Sequence, residues 1–210
     1  IPLSSANMSR RTDARIVCAS LLLFSLAACR GERAEPAPRA AGVAEPEWFV
    51  DAAQASGLDF THFNGMSGQY YYPEIMAPGA GLLDYDGDGD LDVYLVQGQM
   101  LGAGKTIRDA VFPPPSPKAS ASGALKDRLF RNDLTVQPDG TRTVHFTDVT
   151  EASRIRVQTY GMGAAVGDFD NDGRPDIYRT GLRGSVMLRN NGDGTFVDVT
   201  KQTATENRGG

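Results

Sequence analysis

The sequence predicts an all-β fold built from repeated units, and three observations support this prediction. Glycine and proline are frequent, with 24 and 12 among 210 residues. They separate short runs of Val, Phe, Tyr and Asp, which is typical of short strands joined by tight turns. A 17-residue segment occurs twice, at 79–95 and 163–179, and a Phe-x-Asp tripeptide occurs three times. We therefore expect few helices.

The 17-residue segment is the strongest sign of an internal repeat. Its copies, GAGLLDYDGDGDLDVYL and GAAVGDFDNDGRPDIYR, share eight identities without a gap. Phe-x-Asp begins at Phe49, Phe146 and Phe196, and an Arg-Asn pair recurs at Asn132 and Asn190. Because the order is constant, each unit should contain a glycine-rich strand, an aspartate loop, a Tyr-bearing strand, an Arg-Asn strand and a Phe-x-Asp strand. Repetition on this scale is typical of a solenoid or a propeller.

Two segments make the repeat uneven. Residues 98–127 contain Pro-Pro-Pro-Ser-Pro and a run of Ala, Ser and Gly, which cannot form the interior of a strand. The hairpin between Asn132 and Phe146 is eight residues longer than the one between Asn190 and Phe196. Both segments are predicted to be surface excursions, the first of them a low-complexity insertion.

The first 28 residues are predicted to be a signal peptide. After Met8, the expected start, three arginines precede the apolar run 16–28, which is shorter than the roughly 20 residues that span a bilayer. The run ends in Leu-Ala-Ala-Cys29, which resembles the lipobox of bacterial lipoproteins, and a plain secretory signal is the alternative. We expect a lipid on Cys29, a flexible linker at 29–47, and an extracytoplasmic protein at the outer membrane or cell surface.

The negative charge is concentrated in two short segments. The chain carries a formal net charge of -5, with five aspartates within 84–92 and four within 168–176. From Cys29 onward, acidic and basic residues outside these segments are nearly balanced. This distribution favours binding of small cations and argues against a nucleic-acid partner, which requires a basic face.

Both acidic segments follow the pattern D-x-D-x-D-G-x-x-D. Alternate residues of a tight loop can turn three carboxylates inward, the glycine permits the bend, and the ninth residue can add further oxygens. The seventh residue, Asp90 or Arg174, would contribute its main-chain carbonyl. A flexible site made only of oxygens suits calcium better than magnesium, so we expect two Ca²⁺ sites. The predicted ligand residues are Asp84, Asp86, Asp88, Asp90, Asp92, Asp168, Asp170, Asp172, Arg174 and Asp176.

Two other structures are possible for these loops: an EF-hand and a metal-free turn. An EF-hand requires a glutamate at the twelfth loop position, which here is Leu95 or Arg179, and Pro175 is unfavourable in a helix. The loops are therefore predicted to join two strands. The remaining alternative is a metal-free Asp-Gly turn of a β-hairpin.

The aspartate loops, the glycine-rich strands before them and the sequence ending at Thr200 resemble FG-GAP (VCBS-type) repeats, the blades of integrin-α-like β-propellers. The order from Trp48 to Gly98, including Pro-Glu-Ile-Met at 73–76, is similar to the amino-terminal part of the bacterial UnbV-ASPIC family. The resemblance implies an incomplete β-propeller of about three blades over 48–210 and calcium bound by both loops. A closed propeller has at least four blades, so we expect the chain to be part of a longer product.

These observations favour a lipid-anchored, calcium-binding scaffold without enzymatic activity, which binds a protein or a glycan and contacts the membrane only through its lipid. The alternative is the amino-terminal part of a secreted enzyme or of an UnbV-type maturation factor. No nucleophile and base occur at a recognisable spacing in the sequence. A pocket that gathers His62, Glu74 or tyrosines away from the aspartate loops would favour the enzyme.

Overall fold

The computed structural model describes residues 48–112 and 125–207. The predicted signal peptide, the linker and Cys29 lie outside the described residues. Within them, ten short strands pair in antiparallel fashion, and the single α-helix, α1, spans Thr200–Thr203. Two 3₁₀ turns lie at Tyr72–Ile75 and Ile107–Asp109. The all-β prediction is confirmed.

The first sheet contains four strands. In the chain, two of them precede a long connection and two follow it. They are β1 (Ala80–Leu83), β2 (Asp92–Leu95), β3 (Arg128–Asn132) and β6 (Phe146–Asp148). Their order in the sheet is β1-β2-β3-β6. Between β3 and β6, the strands β4 (Thr135–Val136) and β5 (Arg142–Thr143) form a separate exposed hairpin, as expected for a surface excursion.

The second sheet repeats this arrangement without an additional hairpin. Its strands are β7 (Gly161–Gly167), β8 (Asp176–Gly181), β9 (Val186–Asn190) and β10 (Phe196–Asp198). They are neighbours in chain order. Tyr94 pairs with Gly81 and Leu129 in the first sheet, and Tyr178 pairs with Ala165 and Met187 in the second. The sequence repeat is therefore also a repeat of strand register.

The core lies between the two sheets. Strand β1 alternates exposed and buried residues, so that Gly81 and Leu83 face inward. Tyr94, Leu83 and Ile177 belong to one buried apolar cluster. A Cβ on Gly81 would lie 2.9 Å from a methyl group of Val166, so glycine permits the close approach of β1 and β7. Burial of these apolar faces holds the sheets together.

A buried ion pair also joins the sheets. Arg179 of β8 donates from Nε to an Asp127 carboxylate oxygen at 2.9 Å, and both side chains are fully buried. Asp127 also accepts the Tyr94 hydroxyl at 2.6 Å and the Gln97 amide at 2.8 Å. Burial raises the pKa of the Asp127 carboxyl, whereas the Arg179 guanidinium and the other two donors lower it.

The structure differs from the sequence analysis at two places. The first Phe-x-Asp tripeptide forms no strand, and Phe49 is 93 % exposed, whereas the other two tripeptides are β6 and β10. The described residues at both ends of the 98–127 segment include buried Leu101, Leu125 and Asp127, so the packed structure extends into that segment. The described residues 48–50 belong to a different unit from the residues that begin at Asp51, and all three are exposed.

Candidate metal centre

The first aspartate loop brings together three of its predicted ligands. It joins β1 to β2, as predicted. Three carboxylate oxygens, one from each of Asp84, Asp86 and Asp88, lie within 4.8 Å of one another. The Asp84 carboxylate accepts the amides of Gly87 and Gly89 at 2.8 and 3.0 Å, which fixes it at the centre of the bend. Both glycines have a positive φ, at 79° and 93°, which a residue with a side chain adopts at a cost.

The second loop joins β7 to β8 and has a similar bend but a different group of three. Three carboxylate oxygens, one from each of Asp168, Asp170 and Asp176, lie within 4.8 Å of one another. Asp168 accepts the amides of Asp172 and Gly173 at 3.0 and 2.8 Å, which corresponds to the role of Asp84 in the first loop. The two loops therefore share a bend but gather different carboxylates.

Arg174 accounts for part of this difference. Its guanidinium forms an ion pair with Asp172, and its Nε donates to the main-chain oxygen of Asn190 at 3.2 Å. The aspartate pattern predicts only a main-chain role for Arg174 and gives no sign of this side-chain contact. In the first loop the same position is Asp90, whose amide donates to the carboxylate of Asp88 at 2.9 Å.

The ninth residue of each loop connects the loop to its sheet. Asp92 accepts the Tyr85 amide at 2.9 Å and the Asn132 amide at 2.8 Å. Asp176 accepts the equivalent amides of Phe169 and Asn190 at 3.1 and 2.8 Å. Both carboxylates are almost completely buried. They therefore hold the two ends of each loop together while lying beside the more exposed carboxylates.

Three carboxyl groups of the loops have raised pKa values. Burial raises the pKa of Asp92 to about 6 and also raises the pKa of Asp176. Partial burial and the nearby Asp88 raise the pKa of Asp86. These shifts mean that ionised carboxylates are held where their charge is unfavourable, and a nearby positive charge would relieve this cost. Because all the converging donors are oxygens, the sites fit a hard divalent cation.

Asn190 links the two loops. Its main-chain amide donates to Asp176 of the second loop, and its side-chain Nδ2 donates to the carbonyl oxygen of Tyr85 in the first loop, each at 2.8 Å. The Asn190 side chain is fully buried. The two loops therefore lie at the same edge of the paired sheets. The repeated Arg-Asn motif was the sequence signal for this residue, although its role was not predicted.

Glu74 and Tyr160, two of the residues that would favour an enzyme, bond to the segment 64–74, whereas the buried His62 Nδ1 and the second Glu74 carboxylate oxygen have no hydrogen-bond partner among the described residues. Glu74 is buried, and one of its carboxylate oxygens accepts the Ser67 amide at 2.9 Å and the Ser67 hydroxyl at 2.6 Å. The Tyr160 hydroxyl lies 2.9 Å from the main-chain oxygens of Asn64 and Pro73. These bonds hold the segment 64–74 in place.

Comparison with models of known protein families gives no match, and comparison with curated protein sequences also gives none. Across residues 48–112 and 125–207, no helix has the length and apolar character needed to cross a bilayer.

Proposed function

We propose that the protein is a calcium-binding scaffold whose two aspartate loops each take up one Ca²⁺ ion. The observation that carries the proposal is the convergence of three carboxylates within 4.8 Å at the same point of two sheets with the same topology. A chance cluster of surface aspartates would not be expected to recur in the same loop of a second sheet. An all-oxygen donor set on a flexible loop is the type that calcium prefers.

The bound ions would act on stability. Each loop holds several carboxylates close together, and their mutual repulsion opposes closure of the bend. A divalent cation offsets this repulsion and ties the loop to both of the strands that it connects. At a free concentration ten times the dissociation constant, a ligand stabilises the folded state by about 1.4 kcal/mol per site.

We also propose that the two sheets are blades of a β-propeller of the FG-GAP (VCBS) type. Two features support this: each sheet has four antiparallel strands, and one face of the first packs on the opposite face of the second. On this view, the loop-bearing edge forms part of a surface for a protein or glycan partner. The Leu-Ala-Ala-Cys29 sequence supports display through a lipid on the outside of the cell.

Calorimetric titration of chelator-treated protein tests the metal proposal. We expect two Ca²⁺ ions per chain, and we expect Asp86→Ala and Asp170→Ala each to remove one of them. Asp139→Ala, in the exposed hairpin, changes the charge equally and should leave both sites intact. Absence of calcium uptake, or unchanged uptake by both loop variants, would contradict the proposal. The same titration with Mg²⁺ should give weaker binding.

A further inference from the structure

Asn190 forms a junction at the edge of the paired sheets. Its side chain is fully buried, and all four of its polar groups are hydrogen-bonded. The main-chain amide donates to Asp176 at 2.8 Å, and the main-chain oxygen accepts Nε of Arg174 at 3.2 Å. The side-chain oxygen accepts the Gly192 amide at 2.9 Å, and Nδ2 donates to Tyr85 at 2.8 Å. A change in the orientation of this side chain would therefore break two hydrogen bonds at once.

Three consecutive residues of the second loop contact this junction. Arg174 and Asp176 do so through the bonds just described, and the Pro175 carbonyl oxygen lies 3.4 Å from Nδ2 of Asn190. Asp176 is also one of the three carboxylates that converge in the second loop. A cation in that loop would therefore contact a residue that is bonded directly to Asn190.

In the first loop, the junction holds the main chain at Tyr85. This residue lies between Asp84 and Asp86, two of the three carboxylates that converge there. The Tyr85 carbonyl oxygen accepts Nδ2 of Asn190, and the Tyr85 amide donates to Asp92 at 2.9 Å. The position of the main chain between two predicted ligands thus depends on Asn190.

The side chain of Tyr85 is held by the same part of the second sheet. Its ring stacks on Phe196, with ring centroids 6.3 Å apart. Phe196 is the partner of Asn190 in the register of β9 and β10. The second sheet therefore holds the first loop at two points, the carbonyl oxygen and the ring of one residue.

We propose that Asn190 couples the two aspartate loops, so that calcium bound at one loop raises the affinity of the other. This inference rests on the proposed function, since it requires calcium at both loops. Without a cation, repulsion among the carboxylates opposes closure of each loop. With a cation in the second loop, Asp176 is held in place, and Asn190 keeps the main chain at Tyr85 in the closed arrangement. The coupling is reciprocal, so each loop raises the affinity of the other by the same factor.

Repulsion between the two bound ions acts in the opposite sense. Asp86 and Asp88 of the first group and Asp168 and Asp170 of the second are exposed to solvent. Salt therefore reaches both loops, and at physiological ionic strength it screens charges that are more than about 8 Å apart. The contacts of Asn190 are buried and are screened much less. We expect net coupling of at least about fivefold, the lower end of the usual range for coupled sites.

The repeat provides a matched control. Asn132 has the position of Asn190 in the first sheet, and its amide donates to Asp92 as that of Asn190 donates to Asp176. Its Nδ2 donates at 3.2 Å to Leu91, which belongs to the same loop as Asp92. Its side-chain oxygen has no hydrogen-bond partner among the described residues. The side chain of Asn132 therefore does not join the two loops.

Calorimetric titration measures the coupling. Asp170→Ala leaves only the first loop able to bind calcium, and Asp86→Ala leaves only the second, so these variants give the affinity of each loop alone. The overall affinity of the original chain for two ions, divided by the product of these two affinities, is the coupling factor. We expect a factor of at least about five in the original chain and in an Asn132→Ala background. In an Asn190→Ala background we expect a factor of one.

Hydrogen exchange tests the path independently. In Asp86→Ala, calcium binds only the second loop, while the amides of Tyr85 and Gly89 still have their acceptors in the first loop. Calcium should slow the exchange of both amides at least about twofold, because the second loop then stabilises the closed first loop. The effect should disappear when Asn190→Ala is added to Asp86→Ala.

The possible results separate this inference from the proposed function. Absence of calcium uptake would overturn both. Uptake of two ions with a coupling factor of one or less would overturn only the coupling. Coupling that persists in Asn190→Ala would also overturn it, since another path would then carry the effect. If Asn190→Ala does not fold, the coupling factor of the original chain and the exchange at Tyr85 in Asp86→Ala still decide.

Discussion

The guanidinium of Arg179 and the carboxylate of Asp127 form an ion pair with no exposed side-chain surface, although 52 positions separate the two residues in the chain. Arg179 belongs to the second sheet, and Asp127 immediately precedes β3 of the first. Thr159 completes the environment of the guanidinium through its hydroxyl at 2.6 Å. The charged groups of both residues are thus hydrogen-bonded to other groups of the protein.

Removing either member of this pair should destabilise the protein severely. Asp127→Ala or Arg179→Met leaves a buried charge without its partner, at a cost of about 3 to 5 kcal/mol. Urea denaturation measures the loss. The half-exposed pair Arg131–Asp133, with an N–O distance of 2.7 Å, provides the control, and Arg131→Met should cost no more than about 1 kcal/mol. Similar losses at both pairs would contradict this account.

Two glycines of β7 should respond in opposite ways to the same substitution. A Cβ on Gly161 would lie 2.1 Å from a methyl of Val96, so Gly161→Ala should cost about 1 to 3 kcal/mol. A Cβ on Gly167 would meet nothing within 4 Å, so Gly167→Ala should be neutral or stabilise by up to about 1 kcal/mol. Thermal denaturation of both variants in excess chelator gives the comparison, and equal midpoints would refute it.

Asn190 should matter more than its repeat equivalent. Asn190→Ala removes the bond to Tyr85 between the loops and leaves buried polar groups unsatisfied, for a loss of about 1 to 3 kcal/mol. Asn132→Ala removes one side-chain bond, to Leu91, in an exposed setting and should cost less than about 1 kcal/mol. Equilibrium unfolding with and without calcium measures both. An equal loss at the two positions would show that the bond between the loops is unimportant.

Arg174 should lower the calcium affinity of the second loop. Its guanidinium already neutralises Asp172, and it adds a positive charge where the cation would bind. We expect Arg174→Ala to tighten binding at this loop by up to about tenfold. Arg142→Ala in the exposed hairpin makes the same change in net charge and should leave the affinity unchanged. Weaker calcium binding by the Arg174 variant would mean that its side chain supports the loop.

The sequence predicted those features that depend on local pattern. The repeat, the two aspartate loops between strands and the exposed hairpin after Asn132 followed from spacing and turn chemistry. The contacts of Arg179 with Asp127 and of Asn190 with Tyr85 were not predictable in this way, because each joins residues more than 50 positions apart. At Phe49 the local pattern was misleading. Its Phe-x-Asp tripeptide matches those of β6 and β10 and predicts a strand, but residues 49–51 form none.

The exposed β4–β5 hairpin has a practical consequence for work with this protein. It lies between β3 and β6, where the second sheet has only the short turn from β9 to β10, and its strands are exposed. Loop tips of this type tolerate foreign peptides. A Cβ on Gly140 would meet nothing within 4 Å, so an affinity tag or a fluorophore attached there would be carried at an exposed tip without disturbing the buried core.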